Sequence, residues 1–101
     1  MAIKKRTVKI PIYYCKLVIQ IHDIIDKPEY AAYCTFNDDS VILNITEDIP
    51  LEVIAHEAVH ITNYVYRECN MEVDINNDEP YAYLLAWIVQ QILAAIKKNT
   101  E

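Results

Sequence analysis

The sequence predicts an α+β domain in which a small antiparallel or mixed sheet packs on two helices. Three observations lead there. β-prone runs fill the first half of the chain, two of them flanking Asn37-Asp38-Asp39-Ser40. Apolar residues then recur at helical spacing from about Pro50 to Glu68, and again from about Pro80 to Lys98. The chain is 101 residues long and 53% hydrophobic, too apolar for disorder and long enough for one modest core. Residues 1–101 are therefore expected to form a single domain.

Thr7 to Tyr13 reads as the first strand, because Val8, Ile10 and Ile12 alternate with Thr7, Lys9 and Pro11. Pro11 offers no ladder donor, so this strand is expected at an edge or to end irregularly. Lys4-Lys5-Arg6 reads as a frayed, solvated terminus. Lys16 to His22 is rich in β-branched residues and pairs back as a hairpin. The nearly continuous apolar run from Leu17 to Ile25 leaves a helix as the alternative, and Asp23 to Pro28 breaks the pattern. Tyr30 to Phe36 and Val41 to Thr46 form a second hairpin around the Asn/Asp turn. The chain contains no glycine, so left-handed turn positions must fall to Asn or Asp, and Gly-rich phosphate loops are excluded.

Thr46-Glu47-Asp48 and Pro50 suit a helix start, and the helix should end near Asn70. Ile54, Ala58, Ile61 and Val65 make one apolar stripe on it, with Ala55, Val59, Thr62 and Tyr66 beside that stripe. Glu52, His56, His60, Asn63 and Arg67 make a polar stripe, so closely flanked by apolar residues that it should lie half sunk in protein. The last helix opens at Asp78-Glu79-Pro80 and turns Leu84, Leu85, Ile88, Ile92 and Ala95 to the core, with Trp87 as an anchor.

The net charge of −6 disfavours nucleic acid and anionic membranes as partners. The N-terminus carries no secretory pattern, and Leu84 to Ile96 is too short to span a bilayer. Cys15, Cys34 and Cys69 are odd in number and widely spaced, which fits free thiols in a reducing compartment. The expectation is a soluble cytoplasmic protein. His22 has no partner at ligand spacing and reads as a surface or satisfied histidine.

The chemistry concentrates in His56-Glu57-Ala58-Val59-His60. Residues four apart on a helix share a face, so both imidazoles can point at one ion. Zinc takes such nitrogens at about 2.0–2.1 Å and, in catalytic sites, a third protein ligand and a water. Glu57 lies about 100° round the helix, beside the ligands, where a general base toward that water belongs. A solvated helix face would also be polar, but it is normally built from Lys and Glu; this stripe holds two of the chain's three histidines. Acidic candidates for the third ligand are Glu68, Glu72, Asp74, Asp78, Glu79 and Glu101. Glu68 and Glu72 lie too near the end of the same helix to fold back easily. Glu79 opens the next helix, where packing could bring it to the ion; its alternative role is to stabilise the helix dipole. Asn63 shares the face of His56 and either supports the ligands or meets water.

HExxH followed about twenty residues later by a Glu at the head of another helix resembles the gluzincin class of zinc metallopeptidases. With Asn77-Asp78-Glu79-Pro80 and the tract from Tyr83 to Ile88, the pattern looks closest to small phage- or prophage-encoded zinc peptidases. The resemblance covers Tyr30 to about Gln91. It implies a zincin-like fold with zinc held by His56, His60 and Glu79, and Glu57 as the base. It also implies an extended peptide or protein substrate added to an edge strand at Tyr30 to Phe36. The tract from Glu79 to Tyr83 matches that class's Glu-x-x-Ser/Ala-Asp pattern except that Tyr83 replaces an Asp that orients a ligand histidine. Larger gluzincins add a downstream His or Tyr that donates to the oxyanion; no histidine follows His60, leaving Tyr64, Tyr81 and Tyr83 as nearby donors. Two other readings compete with a peptidase. One is a zincin-shaped protein-binding module with a structural or vestigial metal site. The other is a helix-rich structural protein without metal.

Overall fold

In the computed structural model the described residues are 2–11, 13, 15–23 and 32–100. Four strands come first: β1 (Ala2–Ile10), β2 (Cys15–His22), β3 (Ala32–Phe36) and β4 (Ser40–Thr46). Two helices follow, α1 (Leu51–Glu68) and α2 (Glu79–Thr100). The sheet is mixed, with strand order β1-β2-β4-β3. The α+β expectation is met, and both hairpins form: β1 pairs antiparallel with β2, and β3 with β4. β2 and β4 run parallel, a pairing between distant segments that no local turn announces.

That parallel pairing builds the core. Its register sets Leu17 beside Val41, Ile19 beside Leu43 and Ile21 beside Ile45, so six buried aliphatic side chains stand on one face of the sheet. Helix α1 supplies Ile54, Ala58, Ile61 and Val65 against them, and α2 supplies Leu84, Ile88, Ile92 and Ala95. The first apolar stripe read on α1 is therefore the buried one; in the second, Thr62 and Tyr66 are buried while Ala55 and Val59 are exposed. Leu85 and Trp87 of α2 are only partly buried, so Trp87 edges the core rather than anchoring it. Leu43→Ala, at the centre of the parallel pair, is expected to cost about 2–5 kcal/mol, read as a lowered urea midpoint with an unchanged slope.

Several local expectations are corrected. Lys4-Lys5-Arg6 is not a frayed end: it lies within β1, and the Arg6 guanidinium donates to Gln91 Oε1 on α2 at 3.0 Å. The helical alternative for Leu17 onward fails, because residues 15–22 are strand with alternating burial. The strand ends at Ile10, one residue before Pro11, so it stops short of the expected Tyr13, and β1 is an outer strand, the first of the two expected alternatives. Tyr30 and Ala31 of the expected strand, and residues 24–28 of the expected break, lie outside the described residues.

The helix ends also differ. The Thr46 hydroxyl donates to Asp48 at 2.9 Å, and neither caps α1. The cap is Pro50, without a side-chain bond; its carbonyl accepts from Val53 and Ile54. At the other end the Met71 N–H donates to Tyr66 O and the Asn70 N–H to Arg67 O. This is a Schellman closure, with Asn70 at φ 55° where most proteins place glycine. In a glycine-free chain, asparagine takes the left-handed position. The 10 residues from Cys69 to Asp78 then return the chain to the head of α2, where Asp78 O accepts from Ala82.

Candidate functional site

The geometry of the site follows from how α1 lies against β3. Tyr64 is buried, stacks on Phe36 with ring centroids 5.1 Å apart, and donates its hydroxyl to Asn37 O at 2.7 Å. Burial, followed by the nearby acidic groups, pushes this phenol up to about 12, so it remains a donor. Two turns nearer the start of α1 lies a cavity of about 310 Å³. Ala32, Tyr33, Cys34 and Phe36 of β3 form one wall, and His56, Glu57 and His60 form the other.

His56 and His60 converge. Their Nε2 atoms are 3.1 Å apart and the rings meet edge to face with centroids at 4.7 Å. Tetrahedral coordination with bonds of about 2.0–2.1 Å would separate two nitrogens by about 3.3–3.4 Å, so the pair is already near the spacing of two ligands on one cation. Their stripe is not half sunk as expected: the His56 side chain is 67% exposed. The buried member is Glu57, 7% exposed, because its 100° rotation about the helix carries it under β3. Glu57 Oε2 lies 3.9 Å from His56 Nε2, and Oε1 accepts from the Cys34 thiol at 3.2 Å. That thiol is pushed far above its ordinary value by burial, then by the hydrogen bond and charge of Glu57.

Glu79 is the first residue of α2 and is exposed. Among the described residues no three His, Cys, Asp or Glu side chains are grouped to hold a metal ion. The two helices do meet close by. The Tyr81 hydroxyl donates to Asn63 Oδ1 at 2.7 Å, and the Tyr81 ring packs edge-on against Tyr66. Asn63 thus faces α2, one turn beyond His60. Burial raises the Tyr81 pKa, which keeps its proton in place. Tyr83 is 71% exposed and lines a separate groove with Pro11, Tyr13, Pro80, Leu84 and Trp87. His22 is satisfied at Asn44 Oδ1, 2.9 Å away and on β4.

β3 is an outer strand of the sheet, and its ladder shows which backbone groups face outward. The Asn37 N–H donates to Ser40 O, making these a hydrogen-bonded pair. In the antiparallel alternation Thr35–Ile42 and Tyr33–Asn44 are then the next bonded pairs. Lys16 N–H to Asp39 O agrees, because it assigns the other β4 positions to β2. The N–H and C=O groups of Ala32, Cys34 and Phe36 therefore turn away from β4, and these are the residues whose side chains lie over α1. Sequence reasoning passed over Cys34, treating it as one of three ordinary thiols. The available signal was its place in β3, in phase with two residues that face the same helix.

No helix among the described residues is long and apolar enough to cross a membrane. No family model, curated protein or solved structure matches this chain, so the site's chemistry rests on its own geometry.

Proposed function

We propose that the chain is a minimal zincin-like zinc metallopeptidase that hydrolyses peptide bonds in extended segments laid along β3. The observation that carries this reading is the pair of Nε2 atoms 3.1 Å apart, with the Glu57 carboxylate beside them and facing β3, an outer strand of the sheet. Two imidazoles at that spacing fit a zinc ion, and Glu79 would be the third ligand, brought by its side chain from the head of α2. Zinc at such a site supplies Lewis acidity toward a carbonyl oxygen and makes water more acidic. Glu57 takes the proton from the attacking water and returns it to the departing amine. The outward N–H and C=O groups of Cys34, with those of Ala32 or Phe36, hold the peptide backbone by strand addition.

Chain purified from zinc-supplemented medium should contain about one zinc by elemental analysis. Anomalous scattering at the zinc edge should put the ion against His56, His60 and Glu79. A content far below one, or an ion seated elsewhere, overturns the assignment. A second reading gains from the hydroxyls of Tyr64 and Tyr81, which already donate inside the protein and so are engaged before any oxyanion forms. In that reading the chain is a zincin-shaped protein-binding module, with a structural or vestigial metal site and a capturing edge strand.

A further inference from the structure

Resting on the peptidase reading, we propose that Cys34 is a positioning residue: its thiol holds the Glu57 carboxylate in the orientation that proton transfer uses. A carboxylate on a side chain only 9% exposed needs donors, and the Cys34 thiol is one, 3.2 Å from Oε1. Oε2, the other oxygen, is on the side of the imidazoles, 3.9 Å from His56 Nε2. One oxygen is tied to the strand and the other is left toward the histidines.

The donor comes from β3 and not from the helix that carries Glu57, and this has a functional consequence. Cys34 turns its backbone N–H and C=O toward an incoming peptide while its side chain grips the base. Seating of the peptide and orientation of the carboxylate thus depend on one residue. A thiol is a weak donor. It fixes direction while drawing little electron density from the oxygen that must remain basic. Burial and the neighbouring carboxylate keep the proton on sulfur, so Cys34 stays a donor and does not become a second anion. A buried cysteine that merely filled space would act as a small hydrophobe, replaceable by alanine at a cost in stability alone.

The experiment uses the full chain loaded with zinc. Cys34→Ala is expected to lower kcat about tenfold, with KM within about twofold and zinc content unchanged. Cys34→Ser should recover most of the loss, since a hydroxyl restores the donor. The infrared difference spectrum between wild type and Cys34→Ala isolates the Cys34 S–H band. That band should lie at the low frequency of a thiol bonded to a carboxylate, and should rise when Glu57→Ala removes the acceptor. Wild-type kcat in Cys34→Ala, equal loss in the alanine and serine variants, or an S–H band indifferent to Glu57 would each overturn the proposal. A zinc-loaded wild type that cleaves no peptide overturns the peptidase reading instead; the S–H band then decides alone whether Cys34 holds the carboxylate.

Discussion

Glu57→Gln is expected to lower peptide hydrolysis by about 10²–10⁴-fold while zinc content stays at the wild-type level. Glutamine preserves the volume of a side chain that is 9% exposed and keeps an oxygen that can accept from Cys34. What it removes is the proton acceptor. Loss of turnover with retained metal separates a base from a ligand, and the pairing of an activity assay with elemental analysis reads both. Hydrolysis that survives the substitution removes Glu57 from the chemistry. The same variant tests the binding-module reading, under which a pulldown should recover the same partners from Glu57→Gln as from wild type.

The second large effect belongs to His60→Ala. Breaking the 3.1 Å pair leaves one imidazole on the helix, and bound zinc should fall to well below one per chain. Zinc that binds only the folded wild type raises its stability by about 2.7 kcal/mol at one hundred times the dissociation constant. In a thermal melt, that zinc-dependent rise should vanish in the variant. Because His60 is exposed, the metal-free melting temperatures of the two proteins should nearly coincide. A variant that keeps its zinc-dependent rise would mean that the ion is held elsewhere.

Local signals explain what was legible in the sequence. The Asn37 to Ser40 turn, the period-two pattern around Val8 and the apolar spacing of Ile54, Ala58, Ile61 and Val65 each act over a few residues, and each marked an element that formed, although the strand around Val8 starts at Ala2 and stops at Ile10 instead of running from Thr7 to Tyr13. The β2–β4 pairing could not be read this way, since it joins segments whose register depends on a shared core. Arg6 misled for a related reason: its strand position is supported by Gln91, 85 residues away. At the site, helical spacing brought His56 and His60 together as expected, because both sit on one rigid element. Where Glu79 sits relative to that pair depends on how two helices cross, which spacing does not encode. The burial of Glu57 and its contact with Cys34 required knowing which strand lies over α1.

The two borders of the sheet are unlike. β1 exposes Lys4, Lys5 and Lys9, charges that like-charged neighbours would repel, whereas the five residues of β3 carry no formal charge. One margin is thereby guarded against self-association and the other is left adhesive. At high concentration, two molecules should join through their uncharged margins, and any occupant of that margin should act as a solubiliser.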